Sequence, residues 1–150
     1  MADPFSIAGG CIALATTAIK LAETLFEYTK SVREAGKLLR PVAEHVQLTS
    51  TVLNSIGSVI DGPEVKQIFT DALLQDTNKA LAGCRRAFGD LDDFVRMKFK
   101  KDQKGALSTS SRLLFSIRQK ELDVLQAHLE RFKSSLDLIL GVLNLAFAAK

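Results

Sequence analysis

The side chains of this 150-residue chain whose types could carry chemistry are two histidines, two cysteines, an acidic cluster and a basic run. His45 stands beside Glu44, and His128 lies two residues before Glu130. Neither pair has the three- or four-residue spacing that puts two ligands, or a base and its orienting acid, on one helix face. Cys11 and Cys84 have no neighbouring Cys or His to make a zinc pattern, and read as small hydrophobes on apolar stripes. In Asp90, Asp92 and Asp93, positions two apart point away from each other on a helix. No Gly turn or bidentate Glu follows them at calcium-loop spacing. Gly36-Lys37 lacks the upstream glycine and the following Ser or Thr of a phosphate-binding loop, and no serine sits in a nucleophile elbow. The residues predict no enzyme, no catalytic side chain, no cofactor and no metal.

The basic run is the remaining candidate. Arg96, Lys98, Lys100, Lys101 and Lys104 fall within nine positions. Cations are favourable at a helix C-terminus, so a solvated helix end is the first reading. The second is contact with anionic lipid, worth about 1 kcal/mol per basic residue near such a surface. Nucleic acid is not an expected partner. Phe99 is the only aromatic residue within the run, and the net charge of the chain is only +3. That charge is unevenly spread. Residues 1–75 hold six Lys/Arg against eight Asp/Glu, and residues 76–150 hold fourteen against nine.

The elements that must position these residues are helices. A hydrophobic content of 47% in 150 residues suits one domain, 1–150, with one core. Apolar spacing predicts helices at about 4–33, 38–60, 64–100 and 117–147. Pro4 opens the first, where a missing N–H does no harm. Gly36 should end it, and Pro41 should lie close to the start of the second. Asp61-Gly-Pro63 reads as a turn. Ile68, Ala72, Thr77, Leu81, Cys84, Phe88 and Leu91 mark the third helix. A polar, mobile loop is expected at about 101–112. Ser116 and Gln119 have capping-box spacing, and Leu122, Leu125, Leu129, Phe132, Leu136, Ile139 and Leu143 line the last helix. Short joints favour antiparallel neighbours, so the expected fold is an all-α, up-down four-helix bundle.

The first helix is unusual in carrying no charge from Pro4 to Ile19. A helix that is apolar nearly all round is fully buried or faces lipid. Sixteen uncharged residues fall short of the roughly 20 that span a bilayer. The expectation is therefore a core helix shielded by three neighbours, with Phe5, Ile7, Ile12, Leu14 and Ile19 in the resting core. The same residues are the candidate membrane-inserting set. Small residues at Gly9, Ala13 and Thr17 would permit close helix approach in lipid. A second uncharged stretch, Leu138 to Ala149, suggests contact with the first helix or with another chain or domain. The n-region is acidic and no signal-peptide cleavage site follows it, so the expected location is cytoplasmic.

Three segments resemble a known family. Met1-Ala-Asp-Pro-Phe-Ser-Ile-Ala-Gly-Gly10 is similar to the opening of fungal STAND-type N-terminal domains of the HeLo-like group. Tyr28-Thr-Lys-Ser-Val-Arg-Glu-Ala-Gly-Lys37 resembles that group's first interhelical joint, with Gly36 where proline is commoner. Lys120-Glu-Leu-Asp-Val-Leu-Gln-Ala-His-Leu-Glu-Arg-Phe-Lys-Ser-Ser-Leu136 resembles its final helix. The resemblance implies a helical bundle placed before a STAND or NLR-type receptor. It further implies a role in programmed cell death and heterokaryon incompatibility. The domain would be cytoplasmic at rest. On activation its N-terminal helix would be released, and the domain would form a homo-oligomer on anionic lipids of the plasma membrane. The alternative is a non-toxic interaction or oligomerisation module of such a receptor.

Overall fold

Among the described residues, the apolar spacing gives four helices: α1 (Pro4–Ser31), α2 (Arg33–Ile60), α3 (Asp71–Lys98) and α4 (Phe115–Ala148). The computed structural model describes residues 4–31, 33–60, 70–98 and 115–148, with side chains at 6–30, 37–60, 70–96 and 119–148 other than Phe147. Among these residues there is no strand, and the architecture is the expected up-down four-helix bundle. The expected turn at 61–63 and the loop at 101–112 lie outside the described residues.

One residue separates α1 from α2, which forces the two helices back to back. Their seam is the most extensive in the bundle, and small residues make it so. A Cβ added to Gly57 of α2 would lie 3.0 Å from Ile12 and 3.5 Å from both the Ala8 carbonyl oxygen and the Cys11 Cβ. The α3/α4 pair is the second hairpin. The hairpins meet as α2 on α4 and α1 on α3, so α2 and α3, although consecutive in sequence, are not a principal pair. Residues 6–10 of α1 lie beside 78–85 of α3, and residues 17–24 lie beside 85–96. The two helices therefore run parallel, and Arg96 is placed away from the N-terminal end of α1.

The core is continuous across all four helices. Ile7, Leu25, Leu39, Leu53, Ile56, Leu91, Leu122, Leu129, Leu136 and Leu143 are among its fully buried side chains. Each such residue contributes about 1.5–3 kcal/mol relative to exposure. Three hydroxyl residues, Thr49, Ser50 and Thr77, are also buried. Each donates to a carbonyl one turn back: Thr49 to His45 at 2.9 Å, Ser50 to Gln47 at 2.6 Å and Thr77 to Leu73 at 2.7 Å. Among the described residues, no buried side-chain polar atom lacks a partner.

Several boundaries differ from the sequence expectation. Gly36 does not end a helix, because α2 already begins at Arg33. A mid-turn glycine costs about 1 kcal/mol, and the long α1/α2 seam outweighs that. Pro41 therefore sits nine residues into α2, where it leaves the Lys37 carbonyl without its helical donor. Both residues are exposed. The third helix starts at Asp71 rather than Glu64. Thr70 caps it, accepting the Leu73 N–H on Oγ1 at 3.1 Å and the Leu74 N–H on its carbonyl at 3.0 Å. Ala72, just inside that start, is exposed rather than buried.

The main correction concerns α1. Ile7 and Leu14 are buried as expected, but Ile12 and Ile19 are 50% and 40% exposed. The Phe5 side chain lies outside the described residues. The helix packs chiefly on two neighbours, α2 and α3, not three. Two neighbours cover the stripe Ile7, Cys11, Leu14, Ala18, Leu21 and Leu25, with Ala8, Ala15 and Ala22 at its side. Ile12 and Ile19 fall beyond that edge. The outer face, with Gly9, Ala13, Thr16 and Thr17, is in water. The uncharged segment is thus wetted along one side, not hidden.

Candidate interaction surfaces

Three surfaces are left by this packing. The first is the outer face of α1. Thr16 and Thr17 fold their hydroxyls back to the Ile12 and Ala13 carbonyls, each at 3.1 Å. Back-bonding of this kind satisfies the hydroxyl donors within the helix itself. The span Ser6–Lys30 is also long and apolar enough to cross a membrane by length and composition. This corrects the estimate from the uncharged run alone. The core helix of a soluble protein meets the same criterion, although only 39% of the apolar window is buried here.

The second surface is the outer face of α4 near its C-terminus. Leu138, Val142 and Leu145 are 72%, 50% and 73% exposed. They share one face at four- and seven-residue spacing with Gly141, where an added Cβ would meet nothing within 4 Å. No charged residue interrupts α4 beyond Asp137. Asp137 is itself paired with Lys133 at 3.2 Å.

The third surface is a groove of about 390 Å³ between α1 and α3, lined by Thr17, Lys20, Leu21, Thr24, Arg85, Phe88, Gly89, Asp92 and Arg96. Arg85 also lines an adjoining hollow with Ser6, Gly10 and Lys79. Of the sequence-predicted basic set, Arg96 lies in the groove and pairs with Asp92 through Nε at 3.1 Å. Lys98 belongs to α3, but its side chain lies outside the described residues, as do Lys100, Lys101 and Lys104 entirely. The sequence reading missed Lys20 and Arg85. The signal was the spacing of Arg85, Gly89, Asp92 and Arg96, which recur on one helical face.

The candidate chemical residues occupy ordinary structural positions. His45 is half-buried on α2, facing α4. Burial lowers its pKa below 6.5, Lys133 lowers it further, and Glu130 opposes both. Since the unfolded chain then binds the proton more readily, the contribution of the neutral imidazole is complete above pH 6.5. It is lost as pH falls through the lowered folded value. Urea midpoints should therefore fall on acidification below about 6.5, and His45→Gln should flatten that part of the profile. Among the described residues, no group of three His, Cys, Asp or Glu side chains could hold a metal ion.

Cys11 and Cys84 are both buried. Burial pushes the Cys11 thiol up to about 11, and burial together with the nearby Cys11 pushes Cys84 up to about 12. The thiolate is the reactive form, so both should be inert at neutral pH. A thiol-specific chromogenic reagent should label neither in the native domain and both in denaturant. Rapid native labelling of either would contradict the packing around α1.

No curated protein and no solved structure matches the chain. A family model described as pigment biosynthesis cluster protein PigL, N-terminal, matches residues 2–150. That match covers the four helices and every surface described above, and the chain belongs to this family, the PigL N-terminal domains.

Proposed function

We propose that this domain is a non-enzymatic association module whose partner is a second copy, met through the outer face of α4. The observation that carries this reading is the exposure of Leu138, Val142 and Leu145 on a face without charge. Leucines seven residues apart with a small residue between them suit helix–helix contact, and two such faces bring no like charges together. By its resemblance to HeLo-like domains, the module would serve a fungal STAND or NLR-type receptor as its oligomerisation unit. Sedimentation velocity over a range of concentrations tests this. The intact chain should dimerise, and the double variant Leu138→Lys/Leu145→Lys should stay monomeric. Because both sites are exposed, stability should change by no more than about 0.5 kcal/mol per site. A monomer at every concentration from the intact chain would reject the reading.

A second reading is favoured by the length and composition of α1. In it the domain is a membrane-targeting effector of programmed cell death or incompatibility signalling. It is cytoplasmic at rest, and it delivers Phe5, Ile7, Ile12, Leu14 and Ile19 to the plasma membrane as a homo-oligomer. Arg96, Lys98, Lys100, Lys101 and Lys104 would face anionic headgroups. Deleting residues 1–19 is a poor test, because it removes Ile7, Cys11, Leu14, Ala15 and Ala18 from the core. Ile12→Lys/Ile19→Lys alters only exposed positions. Under forced dimerisation, the intact chain should leak dye from phosphatidylserine vesicles and the variant should not. Equal leakage from both, or none from either, would discard this reading.

A further inference from the structure

We propose that the α1/α3 groove binds an amphiphilic anion, a ligand with an acidic head and an extended apolar body. The groove holds about 390 Å³, which falls within the range of about 300–1,000 Å³ typical of small-molecule sites. Buried Leu21 and Phe88 provide apolar surface in it, and Lys20, Arg85 and Arg96 bring three cations against the single carboxylate of Asp92. Arg96 engages Asp92 through Nε at 3.1 Å, and its guanidinium carries further N–H donors on the two Nη atoms. Among the described residues, no ion pair involves Lys20 or Arg85. Eleven residues, roughly 16 Å at 1.5 Å per residue, separate Arg85 from Arg96 along α3. The cations line the length of the groove instead of converging, which suits an extended ligand better than a compact inorganic ion.

Gly89 supplies an independent observation. An exposed glycine inside a helix costs about 1 kcal/mol. Gly83, two turns earlier on α3, is explained by the Phe132 ring packed against it. No such neighbour explains Gly89, where an added Cβ would meet nothing within 4 Å. Its missing side chain keeps the wall of the groove open between Arg85 and Arg96.

This inference is independent of the α4 face. Its acidic head can belong to a free alkyl acid or to a phospholipid in a bilayer, and the test separates them. The full chain is titrated with anilinonaphthalene sulfonate, followed by competition with dodecyl phosphate below its micellar concentration. Dye binding should saturate in the folded state. Dodecyl phosphate should displace the dye, whereas dodecanol and inorganic phosphate should not. Lys20→Gln and Arg85→Gln should each weaken dye binding roughly ten- to a hundredfold, the loss of one hydrogen bond to a charged group. Gly89→Phe should fill the groove and abolish binding without lowering the thermal midpoint, which keeps the result distinct from unfolding. Displacement by phosphatidic acid vesicles but not by monomeric dodecyl phosphate would assign the head to a bilayer, and displacement by both would assign it to a free ligand. Unchanged binding in Gly89→Phe, or equal displacement by dodecanol, would overturn the proposal.

Discussion

Replacing Leu14 by lysine should remove most of the stability of this domain. Leu14 is 4% exposed and lies on the α1 stripe that faces the core. Truncating a buried leucine to alanine already costs about 2–5 kcal/mol. Lysine adds either the burial of an ammonium group or the displacement of α1 needed to bring it to water. A total above about 5 kcal/mol is comparable with the whole stability of a small domain, about 5–15 kcal/mol. Ile12→Lys and Ile19→Lys should change stability by about 1 kcal/mol or less, since both residues are already partly exposed and a lysine stem can carry its ammonium group out to water. Urea unfolding followed by circular dichroism compares the three. Similar losses at Leu14 and Ile12 would mean that α1 is rotated from the register described here.

The second large effect is expected at Gly83. The place where its Cβ would project is occupied by the ring of Phe132 on α4, with Cε1, Cδ1 and Cζ all in the way. Gly83 is itself buried, so a larger residue cannot swing outward. Overpacking of this kind costs about 1–3 kcal/mol, sometimes more. In Gly83→Ala the gain in helix propensity, about 1 kcal/mol, offsets part of that cost. Gly83→Val adds two further carbons and a weaker helix former, so its net loss should be about 3 kcal/mol. Phe132→Leu in the same chain should return much of it. A double-mutant cycle should report coupling of about 1–3 kcal/mol between the two positions. Strict additivity would show that the ring moves aside freely.

Much of the fold is legible in the sequence because burial in a bundle follows local spacing. Leu122, Leu129, Leu136 and Leu143 recur every seven residues and all reach the core. Leu81, Cys84, Phe88 and Leu91 follow three- and four-residue steps on α3 and are buried likewise. What spacing cannot show is which neighbour a helix faces, and the errors follow from that. Ile12 and Ile19 belong to a valid apolar stripe, but α2 and α3 cover that side of α1 only in part. Gly36 has the composition of a stop, yet the close α1/α2 seam carries the helix through it. The groove was illegible for a related reason. Lys20 and Arg85 are far apart in the chain, and only the parallel packing of α1 on α3 brings them to one trough.

The single residue between α1 and α2 also bears on how the chain first assembles. In sequence, α3 and α4 are sixteen residues apart, against one for the first pair. Closure entropy rises with segment length, and contacts close in sequence form soonest. The amino-terminal pair should therefore be the nucleus, already zipped together at the ribosome exit while residues beyond 70 are still being translated. Until α3 and α4 arrive, its greasy inner side has nothing to lean on, and a nascent chain in that condition is a natural client for a chaperone.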